Sequence, residues 1–145
     1  EMPDFLPDRI EAGTHNMPGI AGLLAGIRFV RRQGTQAILR HEHALTCRTA
    51  ESLRRLPGVE VFAHPGCLAQ AGVVSFRVPG RDAETVGEAL ARRGIAVRAG
   101  LHCAPLAHRT AGTLDTGTVR VSFSAFNTPQ EADRLAEAVG DILRR

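Results

Sequence analysis

Ile20, Leu23, Leu24, Ile27 and Val30 recur at the three-and-four spacing that lays one apolar stripe along a helix, which predicts a helix over 18–33. Gly34 interrupts the stripe and Thr35 can cap a new start. Ile38, Leu45, Leu53 and Leu56 then mark a second helical face, closed by Pro57-Gly58. The runs 59–63 and 73–78 are β-branched or aromatic and bounded by Pro and Gly, so each reads as a strand, with His64-Pro-Gly-Cys67 as turn chemistry between them. Asp82 can cap a helix whose Ala83, Val86 and Leu90 share a face and whose Gly94 supplies a left-handed stop; 95–98 follows as a strand. Over 118–126, Val119, Val121 and Phe123 alternate with Arg120, Ser122 and Ser124, the period of a strand with one buried face. Thr128-Pro129-Gln130-Glu131 is a capping box with proline at the first helical position, continued by Ala132, Leu135, Val139 and Ile142.

Two stretches escape this periodicity. The first sixteen residues are rich in Pro, Asp, Gly and Asn and read as extended chain, so 1–17 is expected to be an interdomain segment and 18–145 a domain. Residues 99–117 carry Gly100, Pro105, Gly112 and Gly117, show neither period, and read as a long loop of the kind that carries function. The expected architecture is α+β, with helices packed on a small mixed sheet.

Composition narrows the function classes. Arginines are interspersed with Asp and Glu, and a formal charge of +3 with few aromatics describes a solvated surface rather than a nucleic-acid platform. No apolar run reaches the length of a membrane span and the opening residues lack the basic and apolar regions of a signal peptide. Cys47, Cys67 and Cys103 are widely spaced and odd in number, which argues against a disulfide framework and for a reducing, cytoplasmic setting. The sequence contains no lysine, so the chain has no amine with which to anchor pyridoxal phosphate.

The chemistry concentrates in Val97-Arg98-Ala-Gly-Leu-His102-Cys103-Ala-Pro105, where a strand delivers an arginine and a glycine-containing loop follows with a cysteine. A nucleophilic thiol needs nearby positive charge or a proton acceptor, and Arg98, His102 and His108 are candidates. The alternative is a Cys103 that is a small buried hydrophobe at a loop edge. Cys47, inside a helix, suits packing, and Cys67, in a turn, could be exposed. His41, His43, His64, Cys67, His102 and Cys103 are metal-ligating types, but no pair has a ligand spacing that signals a site, so no metal is expected. Arg120 faces away from Val119 and Val121, where a planar guanidinium could hold a carboxylate or could simply face solvent.

Arg98-Ala-Gly-Leu-His-Cys103-Ala, Gly117-Thr-Val-Arg120-Val-Ser-Phe and Phe126-Asn127-Thr128, taken in order, resemble the class V aminotransferases, specifically SufS-type cysteine desulfurases and selenocysteine lyases. Glu11-Ala12-Gly13-Thr14-His15-Asn16 is similar to that family's E-A-G-T-P-N segment, with His15 in place of Pro; Leu101 replaces the first His of its G-H-H-C form. The resemblance implies the C-terminal small domain of a fold-type I enzyme, with pyridoxal 5'-phosphate held by a lysine of a large domain this chain does not contain. It implies that Cys103 takes sulfur from L-cysteine or L-selenocysteine, leaving alanine and a persulfide. Arg120 would bind the substrate carboxylate, with Arg98 and His102 beside it. Gly13 and Thr14 would reach the cofactor phosphate across a homodimer, and a sulfur-acceptor protein would take the persulfide. The isolated chain would not turn over cysteine. The competing expectations are a class V aminotransferase or lyase in which Cys103 accepts no sulfur, and a non-catalytic stand-alone module.

Overall fold

The computed structural model describes residues 3–11, 13–67 and 70–144, which form two compact units dividing between Thr35 and Gln36. Ala12 of the Glu11–Asn16 segment lies outside the described residues.

The first unit holds helix α1 (Met17–Gln33). Asn16 Oδ1 accepts from Gly19 N at 3.0 Å, satisfying one of the orphan amides at the helix start. The predicted stripe is present but uncovered in this chain: Leu23 is 65% exposed and Ile20 52%.

The second unit contains α2 (Thr35–Arg54), β1 (Glu60–Phe62), β2 (Val73–Arg77), α3 (Ala83–Ala91), β3 (Arg98–Gly100), α4 (Pro105–Thr110), β4 (Thr118–Ser122) and α5 (Pro129–Leu143). The strands form one sheet in the order β1-β2-β4-β3. Every pairing is antiparallel, so the sheet is not mixed as expected. Strands β2 and β3 both pair with β4, and α3 carries the chain over β4 between them, a split β-α-β arrangement.

The period of two along the strands divides the sheet's faces. Val74, Phe76, Val119 and Val121 point to one side and are buried among Ala50 and Leu53 of α2, Val86 and Leu90 of α3, and Leu135, Val139 and Ile142 of α5. This is a helical layer on a four-stranded sheet. The capping box before α5 is complete: Glu131 N donates to Thr128 Oγ1 at 3.3 Å and Thr128 N to Glu131 Oε2 at 2.7 Å.

Three local expectations change. The 99–117 segment is not structureless, because β3 begins only at Arg98, not at 95 as expected, and runs to Gly100, and six residues from Pro105 form α4. A helix of that length is too short to show a period, and its start is marked only by Pro at its first position. Strand β4 stops at Ser122, since Asn127 Oδ1 takes the Ser124 amide at 2.9 Å and turns the chain into α5. Cys67 is 1% exposed, not a surface residue, because its turn is folded in against His43, whose Nε2 donates to the Cys67 carbonyl at 2.6 Å. Burial first, and then the nearby Cys67, push the neighbouring Cys47 thiol up to about 12, which fits a packing role.

Among the described residues no helix is long and apolar enough to cross a membrane. Phe76, fully buried on β2, is the largest side chain of the core. Phe76→Ala should lower unfolding free energy by about 3–5 kcal/mol, read as a reduced urea midpoint at unchanged slope.

Candidate active site

On the face of the sheet turned away from the helical layer, one row of side chains crosses all four strands. Phe62 pairs with Ser75, Ser75 with Arg120, and Arg120 with Arg98. The segment 101–117 lies against this row and closes a cavity of about 310 Å3 lined by Phe62, Ser75, His102, His108, Thr118 and Arg120. Arg120 and Arg98 stand directly opposite on neighbouring strands, and like charges so placed repel unless an anion lies between or beside them. Arg120 Nε is buried and has no hydrogen-bond partner among the described residues. A buried guanidinium nitrogen without a partner is costly, and a carboxylate would satisfy it bidentately.

A close backbone approach brings the segment's two ends together. Gly117, at φ +63°, lies so near Gly100 that a Cβ added there would sit 2.9 Å from the Gly100 Cα. Only glycine suits both that conformation and that contact.

His102 and Cys103 follow, both in left-handed backbone, at φ +51° and +57°. Each such residue costs roughly 1–2 kcal/mol relative to ordinary backbone, so the conformation is held by its surroundings. Ala104 N donates to Leu101 O at 2.9 Å, tightening the turn. His102 Nε2 donates to the Thr118 carbonyl at 3.1 Å, with Thr118 Oγ1 at 3.2 Å sharing the proton. A carbonyl only accepts, so Nε2 carries the hydrogen and Nδ1 keeps a free lone pair. Burial holds the His102 imidazolium below its ordinary range; the bond to the Thr118 carbonyl works in the other direction, and Arg120, His108 and Arg98 each lower it further. The ring is therefore neutral at pH 7 and able to accept a proton at Nδ1. Cys103 is exposed, which removes the buried-hydrophobe alternative.

The structure thus brings His102, Cys103, Arg98 and Arg120 to one edge of the sheet. Gly13 and Thr14 belong to the other unit: Gly13 is left-handed at φ +81° with open space around it, and Thr14 is exposed. Sequence reasoning did not reach Phe62, Ser75 or Thr118 as lining residues. Their signal was parity: each stands an odd number of residues from a core position on its own strand. No group of three or more His, Cys, Asp or Glu side chains that could hold a metal occurs among the described residues.

A sequence model of the family described as aminotransferase class-V matches residues 4–135. The chain is 41% identical, over 94% of its length, to a probable cysteine desulfurase of Mycolicibacterium paratuberculosis, covering 19% of that protein. It is also 41% identical, over 94% of its length, to a cysteine desulfurase of Synechococcus elongatus, covering 21% of it. The apo structure of a cysteine desulfurase from Thermococcus onnurineus superposes with a TM-score of 0.86 at 39% identity, over 95% of this chain and 34% of that one. The Escherichia coli cysteine desulfurase CsdA gives 0.83 at 30%, over 95% and 33%. The chain therefore spans about a fifth to a third of the length of these relatives.

The neutral state of His102 has a sign that can be tested. Its folded value is depressed, so its contribution to stability is complete above the ordinary histidine range near 6.5 and is lost as pH falls through it, where the unfolded chain takes up the proton first. The urea midpoint should fall between pH 7.5 and pH 5.5. In His102→Gln, whose amide can still donate to Thr118 O, that fall should be shallower.

Proposed function

We propose that this chain, which belongs to the aminotransferase class-V family, is the C-terminal small domain of a SufS-type cysteine desulfurase and supplies its sulfur-accepting thiol and its carboxylate-binding arginine. The observation that carries the reading is an exposed Cys103 in left-handed backbone together with Arg120, whose buried Nε has no hydrogen-bond partner among the described residues. The matched relatives, named as cysteine desulfurases, support the same substrate.

Pyridoxal phosphate, the cofactor the family implies, needs a lysine amine for covalent anchorage, and this chain has none. The 310 Å3 cavity and its arginine suit the amino acid's carboxylate end rather than the cofactor's aldehyde carbon. When bound on the large domain, the cofactor supplies the electron sink for the reaction. The left-handed Gly13 and exposed Thr14 offer a backbone amide and a hydroxyl, groups suited to its phosphate across a homodimer.

The chain's own residues have the remaining tasks. Arg120 holds the substrate carboxylate, with Arg98 adding positive charge from the next strand. His102 Nδ1 accepts the Cys103 proton, and the resulting thiolate attacks the substrate sulfur. A sulfur–sulfur bond forms, the substrate carbon–sulfur bond breaks, and the electron pair left on carbon is protonated to give alanine. Cys103 keeps the sulfur as a persulfide, exposed for a sulfur-acceptor protein.

In the cofactor-loaded enzyme containing this chain, Cys103→Ser should abolish alanine formation from cysteine. Arg120→Ala should raise the KM for cysteine about 10–100-fold, the value of a charge-assisted hydrogen bond lost from a buried site. Steady-state kinetics check both. Unchanged turnover in Cys103→Ser would move the site to class V chemistry in which the thiol takes no sulfur.

A further inference from the structure

His108 has no part in the chemistry above, yet it is the buried histidine of the described residues, 6% exposed, with its ring on the active-site cavity. Its Nδ1 lies 2.7 Å from Thr113 Oγ1, one hydrogen bond, and its ring centroid lies 5.9 Å from that of His102. The same two residues are tied through the backbone, where Thr113 N donates to His108 O at 2.9 Å.

These bonds belong to a closed circuit. Ala104 N donates to Leu101 O at 2.9 Å, and His108 N to Ala104 O at 3.1 Å. From His108 the circuit passes to Thr113, and Gly117 N donates to Thr113 O at 2.9 Å. Gly117 is bonded to Thr118, whose carbonyl receives His102 Nε2. His102 and Cys103 stand between the first two members, Leu101 and Ala104. The circuit therefore encloses the strained pair, and the His108–Thr113 bond is where side chains join its outgoing half to its returning half.

We propose that His108 is a positioning residue that, through Thr113 and the His102 ring, holds the left-handed His102–Cys103 pair in the conformation that presents the thiol. This rests on Cys103 being the reacting group, but the effect is a property of the chain without cofactor or substrate. Substitution for His108 or Thr113 need not remove volume: Thr113→Val keeps the shape and loses the hydroxyl, while His108→Phe keeps a ring and loses the nitrogen.

The test is amide hydrogen exchange on this chain, residue by residue, at Ala104, Thr113, Gly117 and the sheet amides of β4. Thr113→Val and His108→Phe should each speed exchange at Ala104, beside Cys103, about fivefold, the equivalent of one net hydrogen bond. The amides of Val119 and Val121 should keep their protection. The double variant should be no faster than Thr113→Val alone, because that change removes the bond to His108 Nδ1, the one His108→Phe also removes, together with the longer 3.5 Å bond from Thr113 Oγ1 to His108 O. Thr113→Ser, which restores the hydroxyl, should exchange as the parent does. Faster exchange confined to 108–113 with Ala104 unchanged would overturn the proposal, as would effects of the two variants that multiply. A general loss of protection across the sheet in His108→Phe would reduce His108 to a packing role, unless Thr113→Val shows the local effect alone. In the loaded enzyme the same variants should lower kcat for cysteine and leave KM unchanged, since Arg120 is untouched. If Cys103 proves to accept no sulfur, the exchange result still stands or falls by itself.

Discussion

Strand β4 is hydrogen-bonded along both edges, to β2 on one side and β3 on the other, and its alternation decides what each face of the sheet can be. Val119 and Val121 commit one face to the helical core, which leaves Thr118 and Arg120 no choice but the other. A register slip of one residue against β2 would place a guanidinium in the core. The pairing therefore fixes Arg120 beside Arg98 and Ser75, and it fixes the Thr118 carbonyl beneath His102. Packing energy on one face holds the geometry of polar groups on the other.

What that geometry adds is a loop under constraint. Two consecutive residues without glycine's freedom, His102 and Cys103, occupy left-handed backbone, and the Arg120 Nε in the cavity beside them has no hydrogen-bond partner among the described residues. Local strain and an unsatisfied buried donor are features that a merely structural segment has little reason to keep. Under the proposed reading both have a use: the first projects a thiol and the second waits for a carboxylate. On the same reading the neutral His102, with its Nε2 hydrogen committed to Thr118, is the proton acceptor.

Much of this was legible from the residues because the elements are long enough to show a period. The α1 stripe, the capped α3 and the capping box at Thr128 state their structure locally, and each forms where the pattern places it. The alternation around Arg120 revealed which way the side chain faces. What could not be read depends on non-local pairing. The antiparallel order β1-β2-β4-β3 arises from α3 crossing β4, and nothing in the strand sequences distinguishes that from a mixed sheet. Helix α4 has too few residues for a periodic signal, and the burial of Cys67 depends on His43, twenty-four residues away. Ser75 and Phe62 became site residues only once the register placed them in the row with Arg120.

The central claim is that Cys103 is where substrate sulfur goes. The most direct measurement is the intact mass of the cofactor-loaded enzyme containing this chain after brief exposure to cysteine, with the added mass mapped to a residue. The account predicts a gain of one sulfur atom, located on Cys103. Consumption of cysteine with no sulfur on Cys103, or with sulfur on Cys47 or Cys67 instead, would contradict it.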